Sequence, residues 1–193
     1  LRVGLLFGTY NPVHLSHLLV AERLQAQSQL DEVWLVLSPR SPFKQGENLV
    51  SDAQRFEMLQ LAVQGHPGLI ACDAELAMPQ PNYTVQTLEM LVARYPKHEF
   101  VLLMGEDNLA GFSQWRDPER ILELARLVVY PRPESGLDAH SPWLQHPRVV
   151  RVEDVQMTRS SSAVRQAVFA GGEALEDLPT AVAAYIREHG LYR

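Results

Sequence analysis

At 193 residues, with 46% apolar and 21% charged side chains, the chain has the size and composition of a globular domain with a sizeable core. Its formal net charge of −6 argues against a broad electrostatic grip on nucleic acid, though not against a nucleotide held in a locally positive pocket. No apolar stretch approaches the ~20 residues of a membrane span and no basic stretch precedes a cleavage site, while a single cysteine excludes an internal disulfide, so a cytoplasmic protein is expected.

Residues 3–7 form an apolar run of strand length, broken by Gly8, Thr9, Asn11 and Pro12 as a loop requires. His14 and His17 then open an amphipathic pattern on Leu15, Leu18, Leu19 and Leu24, which predicts a helix over 14–28. Residues 32–37 read as a second strand, running into a proline-broken loop that carries Arg40 and Lys44. A helix is expected over 51–65, with Ser51 as its cap and Phe56, Leu59 and Val63 facing inward. Residues 69–72 give a short third strand, in which Cys72 reads as a buried core thiol rather than a nucleophile. After a loop over 79–82, a helix runs from 84 to 95, and 99–104 is the clearest fully buried strand, ending at Gly105. A turn over 111–115, a helix over 118–124, a strand over 127–130, a loop over 131–147 and a strand over 149–152 follow. Helices over 161–170 and 179–188, split by Gly171 and Gly172, complete the pattern.

Strands alternating with helices imply an α/β fold with a parallel sheet. One domain is expected over 1–193, with 160–193 as a C-terminal helical part. In such sheets ligands bind beyond the carboxyl ends of the strands, where the strand order reverses. The histidine loop, the loop with Arg40 and Lys44, and residues 105–107 each follow a predicted strand, so they are expected along one edge.

The histidine loop leads from strand to helix, which directs backbone N–H groups and the positive end of a helix at one place and suits an anion. Two imidazoles one turn apart share that end. A plain capping or core role is the alternative. A zinc pair is a weaker one, because no third ligand is evident and a metalloprotease pattern needs a spacing of four with a glutamate inside. Residues 159–165 are a second helix start, where serines cap and Arg165, one turn in, offers a bidentate contact to phosphate. An ordinary capped surface helix would look the same in sequence.

Residues 8–17 resemble the signature loop of the nucleotidylyltransferase superfamily: glycine, a hydroxyl residue, an aromatic, asparagine or aspartate, proline, then His-x-Gly-His. Phe7 stands where many members carry a further glycine, and Ser16 replaces the glycine between the histidines. Residues 159–165 resemble the Ile-Ser-Ser-Thr-x-Ile-Arg element of the same superfamily, with Arg159 in place of the aliphatic residue. Between them, residues 81–88, 104–109, 112–115 and 129–132 resemble the corresponding blocks of bacterial nicotinate-nucleotide adenylyltransferases. Asn82 for serine, Gln86 for aspartate and Glu106 for a small residue are the departures, and a carboxylate at 106 must turn away from any nucleotide phosphate.

The resemblance implies a Rossmann-like, doubly wound parallel sheet with C-terminal helices. It implies adenylyl transfer from ATP to nicotinate mononucleotide by in-line attack, with release of pyrophosphate. His14, His17, Lys44 and Arg165 are then the catalytic candidates. Gly8, Thr9, Tyr10, Gly105, Asp107, Ser160 and Ser161 join His14, His17 and Arg165 around ATP. Asn11, Lys44, Tyr83, Thr84, Trp115 and Arg132 fall to the mononucleotide, Trp115 as a stacking surface and Thr84 at a helix start that suits the ring carboxylate. Mg2+ would arrive with ATP rather than occupy a site of the protein's own. The implied partners are these small molecules, with neither nucleic acid nor membrane, and a homo-oligomer is left open. Other readings are a different transferase of the superfamily, such as a pantetheine-phosphate adenylyltransferase or a cytidylyltransferase, or a catalytically silent nucleotide-binding protein.

Overall fold

A computed structural model describes residues 1–39, 50–133, 135–155, 157–170 and 174–192, with 174 and 175 described by backbone alone. Among the described residues the strands β1 (Arg2–Gly8), β2 (Glu32–Leu37), β3 (Leu69–Cys72), β4 (Glu99–Gly105), β5 (Arg126–Tyr130) and β6 (Val149–Arg151) form one sheet. Every pairing is parallel and the order is β3-β2-β1-β4-β5-β6. Parallel neighbours need long crossovers. These are supplied by α1 (Leu15–Gln27), α2 (Asp52–Val63), α3 (Thr84–Arg94), the short α4 (Glu106–Ala110) and α5 (Pro118–Leu124). Beyond β6 come α6 (Ser161–Phe169) and α7 (Thr180–Glu188).

The strands read as continuous apolar runs because both faces of the sheet are covered. Side chains alternate between two cores with period two. Val33, Leu35, Val101, Leu103 and Val128 belong to the core under α1, α2 and α7. Trp34, Val36, Phe100, Leu102, Leu127 and Val129 belong to the core under α3 and α5. The strand order reverses between β1 and β4, and the crevice beyond their carboxyl ends is where the fold leaves room for a ligand.

The helix caps follow the sequence expectation: Ser51 accepts from the Gln54 amide at 3.3 Å and Ser160 from the Ala163 amide at 3.2 Å. Two helix faces do not. On α1, Leu15 and Leu19 are exposed, and the inner stripe is Ser16, Leu18, Val20, Ala21 and Leu24. On α2 the inner stripe is Arg55, Met58, Leu59 and Ala62, while Phe56 and Val63 are only partly buried. An arginine at the centre of that stripe shifts the buried face from the one hydrophobicity alone selects. The loop over 131–147 contains a 3-10 turn, Pro142–Gln145, whose Trp143 donates to Ser113 Oγ at 2.9 Å. Cys72, expected in the core, is half-buried on the edge strand β3, and burial pushes its thiol up from the ordinary value.

Candidate active site

Between β1 and α1 the chain makes a turn that requires Tyr10 at φ +43° and Gly8 without a side chain. A Cβ on Gly8 would lie 2.9 Å from Cζ of the Tyr10 ring, which folds back over it. The Tyr10 hydroxyl donates to the Leu6 carbonyl at 2.6 Å, so Tyr10 is spent on shaping the turn and is itself buried.

His14 is the N-cap of α1 and His17 its third residue. The His14 amide donates to His17 Nδ1 at 3.2 Å, and the His17 amide donates to the His14 carbonyl at 2.9 Å. With Nδ1 accepting, the His17 ring carries its proton on Nε2. The two rings lie 3.7 Å apart between centroids, tilted by 32°. His14 is sealed from solvent, and neither of its ring nitrogens has a hydrogen-bond partner among the described residues. Burial holds its pKa down to about 4, with the Asp177 carboxylate opposing and Arg132 adding to the fall, so the ring is neutral at pH 7.

The segment after β6 packs onto this loop. Arg165 Nη1 donates to the Asn11 carbonyl at 2.8 Å and Nη2 to Ser162 Oγ at 3.2 Å. Ser161 Oγ donates to the Pro12 carbonyl at 3.0 Å, and the hydroxyls of Ser16 and Thr158 meet at 3.0 Å. Residues from both halves of the sequence therefore meet at one place.

A cavity of about 350 Å³ opens there. Gly8, Thr9, Tyr10, His14, His17, Ser160, Ser161 and Arg165 line it together with Tyr83, Thr84, Asp107, Trp115 and Arg132. Gly105 stands behind the wall: a Cβ there would lie 2.7 Å from Arg132 Cγ, and Arg132 Nε is 3.5 Å from Asp107 Oδ1. Asn11 is not at the wall. It is fully buried, and its Oδ1 accepts from the Tyr192 hydroxyl at 2.8 Å and the Val50 amide at 3.3 Å. Glu106 is buried and does not line the cavity: its Oε1 lies 2.6 Å from Arg151 Nε and its Oε2 accepts from the Arg132 amide at 3.3 Å. Lys44 and Arg40 lie outside the described residues.

Several wall residues escaped the sequence reading. Glu75 is buried and accepts from Thr87 Oγ1 at 2.7 Å; burial raises its carboxyl above the usual range, against hydrogen bonds from Ser38 and Thr87. Asn82 donates to the Glu75 carbonyl at 3.2 Å, and its own Oδ1 is buried without a partner among the described residues. Arg116 lies over the Tyr83 ring, 4.8 Å from its centroid. Adjacency to Trp115 in sequence was the only signal for Arg116; Glu75 had none. Among the described residues no group of three or more His, Cys, Asp and Glu side chains is placed to hold a metal ion.

Residues 5–167 match the family model described as cytidylyltransferase-like. The chain is 38% identical over its whole length to a protein of Flavobacterium johnsoniae named as a probable nicotinate-nucleotide adenylyltransferase, whose whole length is also covered. A Bacteroides thetaiotaomicron protein of the same name is 38% identical over 98% of this chain and 92% of its own. In structure, the nicotinic acid mononucleotide adenylyltransferase of Plasmodium falciparum complexed with NaAD superposes with a TM-score of 0.81 at 16% identity, covering 99% of this chain and 97% of that one, a likeness of fold. A cytidylyltransferase-like chain with full-length relatives of this kind belongs to the nicotinate-nucleotide adenylyltransferase family.

Proposed function

We propose that the protein joins ATP and nicotinate mononucleotide to give deamido-NAD and pyrophosphate, in the cavity between the histidine loop and the start of α6. The observation that carries this reading is His14: a neutral imidazole sealed from solvent, with neither nitrogen partnered among the described residues, at the wall of a cavity shared with His17, Ser160 and Arg165. A buried polar group without a partner calls for one, and a phosphate oxygen beside the His14 and His17 N–H groups supplies it.

A phosphate oxygen of the mononucleotide attacks the α-phosphorus of ATP in line. The new P–O bond forms as the bond to the β-phosphate oxygen breaks, and pyrophosphate departs with that electron pair. The attacking oxygen is already anionic, so no general base is needed. Catalysis rests on positioning and on donors set in advance where charge builds. His17 and Arg165 stabilise the charge on the phosphates, and the Ser160 hydroxyl with the amides at Ser160 and Ser161 adds the positive start of α6. Thr9 and Tyr10 shape the loop and Asp107 faces a ribose, while Lys44 takes its phosphate role from the family resemblance. On the other side Trp115 and Tyr83 flank the pyridine ring, and Arg132 meets the mononucleotide phosphate. The first amides of α3, at Thr84 and Val85, have no place in the helix ladder and meet the ring carboxylate. That favours the acid over the neutral amide. Asn11 takes no substrate contact in this reading and acts as an anchor of the loop.

Mg2+ comes with ATP and screens the triphosphate charge, coordinated by phosphate oxygens and water. The carboxylates at the cavity are otherwise engaged, Glu75 by Thr87 and Asp107 by Arg132, which fits a metal held by substrate. Residues 1–193 act as one domain in this reading, in the cytoplasm where ATP is supplied.

Pyrophosphate release from ATP with nicotinate mononucleotide, with its amide and with phosphopantetheine tests the proposal. Turnover with the acid well above the other two is expected. Turnover with phosphopantetheine instead would assign a different transferase, and none with any of them would leave a nucleotide-binding protein.

A further inference from the structure

We infer that Arg55 and Tyr192, which lie in neither signature stretch, are positioning residues for the transfer: they hold residues 9–11 so that His14 and His17 face the cavity. This rests on the adenylyl-transfer reading above.

Arg55 is fully buried on α2, in a stripe otherwise made of Met58, Leu59 and Ala62. A methionine there would fill the same space without the cost of taking a guanidinium out of water. What it could not do is donate. Arg55 Nε donates to the Val50 carbonyl at 3.0 Å, Nη1 to the Ser38 carbonyl at 3.2 Å and also to the Thr9 carbonyl, and Nη2 to the Pro39 carbonyl at 3.0 Å and to Asp52. One side chain thus ties the end of β1, the end of β2 and the start of α2. Four of its acceptors are main-chain carbonyls, so beside its ion pair with Asp52 the clasp sets backbone positions. Thr9 and Ser38 are themselves at the cavity wall.

Tyr192 reaches the next residue but one. Its hydroxyl donates to Asn11 Oδ1 at 2.8 Å, and its backbone sits at φ +61°, a region that side chains avoid unless the surroundings hold them there. Asn11 is gripped by side chain from Tyr192 and the Val50 amide, and by main chain from Arg165. Val50 also receives Arg55, so the two anchors share a residue. Neither Arg55 nor Tyr192 lines the cavity, so any effect on chemistry passes through the loop.

The test compares the full chain with Arg55→Lys, Tyr192→Phe and, as a destabilised control, Leu122→Ala in the opposite core. Kinetics are measured per folded molecule, below the unfolding range. Misplacing reacting groups by ~1 Å costs about 100-fold. Arg55→Lys is expected to lose about that much in kcat and Tyr192→Phe about 10-fold, with the KM for the mononucleotide changed less than about twofold. Both variants should also weaken ATP binding while leaving adenosine, which lacks phosphates, unaffected in calorimetry. Leu122→Ala should lower Tm and keep kcat. The inference is overturned if both variants merely lower Tm, as the control does, with kcat and the ATP-to-adenosine affinity ratio unchanged. Should Arg55→Lys not fold, Tyr192→Phe decides alone, since it removes one hydroxyl and keeps the ring. If the wild-type chain binds ATP but releases no pyrophosphate, the transfer reading fails, and the affinity ratio still judges the two anchors.

Discussion

Arg165 Nη1 donates to the carbonyl oxygen of Asn11 at 2.8 Å, across 154 residues of sequence, while Nη2 reaches Ser162 in the same helix. The guanidinium fork seats α6 on the histidine loop, and Arg165 lines the cavity there. A lysine would keep the charge but lose the fork. Hydrogen bonds to a charged group contribute about 1.5–3 kcal/mol, so Arg165→Lys is expected to lower kcat/KM for ATP by about 10- to 100-fold. Steady-state kinetics at saturating mononucleotide checks this; a loss below threefold would leave Arg165 a structural tie only.

His17 accepts on Nδ1 from the amide of His14, and in the proposed function its ring stabilises charge on the phosphates. Removing one preorganised donor to developing charge costs about 100- to 1000-fold in kcat. His17→Ala should fall in that range while circular dichroism stays at wild type. The capping bond it also loses accounts for only about 1 kcal/mol of stability. Near-normal turnover would take His17 out of the mechanism.

Much of this was legible in the letters. Residues 32–37 and 118–124 carry their element boundaries in local signals: an apolar run in the first, and in the second Pro118, which stands at the helix start. The convergence of the histidine loop with residues 160–165 followed from family resemblance, since no local signal reports a contact over such a separation. Asn11 was expected at the mononucleotide because it sits in the signature. Its partner Tyr192, which turns it inward, has no marker in sequence. Arg55 was illegible for a physical reason: periodicity assigns arginine to solvent, and only the carbonyls gathered from the end of β1, the end of β2 and the start of α2 make its burial favourable. Glu75 was hidden likewise, its acceptance from Thr87 depending on how the loop after β3 meets α3.

His14 links pH to stability. Its folded pKa of about 4 lies below the ordinary 6.5, so the unfolded chain binds more protons between those values. The contribution is present in full above pH 6.5 and is lost as pH falls toward 4, after which it levels off. Its size is up to about 3 kcal/mol, from the linkage of roughly 1.4 kcal/mol per unit. Chemical denaturation of the ligand-free protein from pH 7.5 to 4 should therefore give a slope that His14→Gln reduces. Superimposable profiles for the two proteins would contradict the burial of a neutral imidazole.

Trp115 lies at the cavity wall, packed against Phe112 with ring centroids 5.4 Å apart. The Phe112 contact holds the indole in place, and in the proposed function its cavity side receives the pyridine ring. Stacking of a base on an aromatic side chain is worth about 1–3 kcal/mol by alanine substitution. Trp115→Ala should thus raise the KM for nicotinate mononucleotide about 5- to 100-fold. The KM for ATP should stay within twofold, because the histidine loop and α6, to which the proposed function assigns the triphosphate, are untouched. An equal rise in both constants would mean that the tryptophan supports the cavity as a whole and does not receive the pyridine ring.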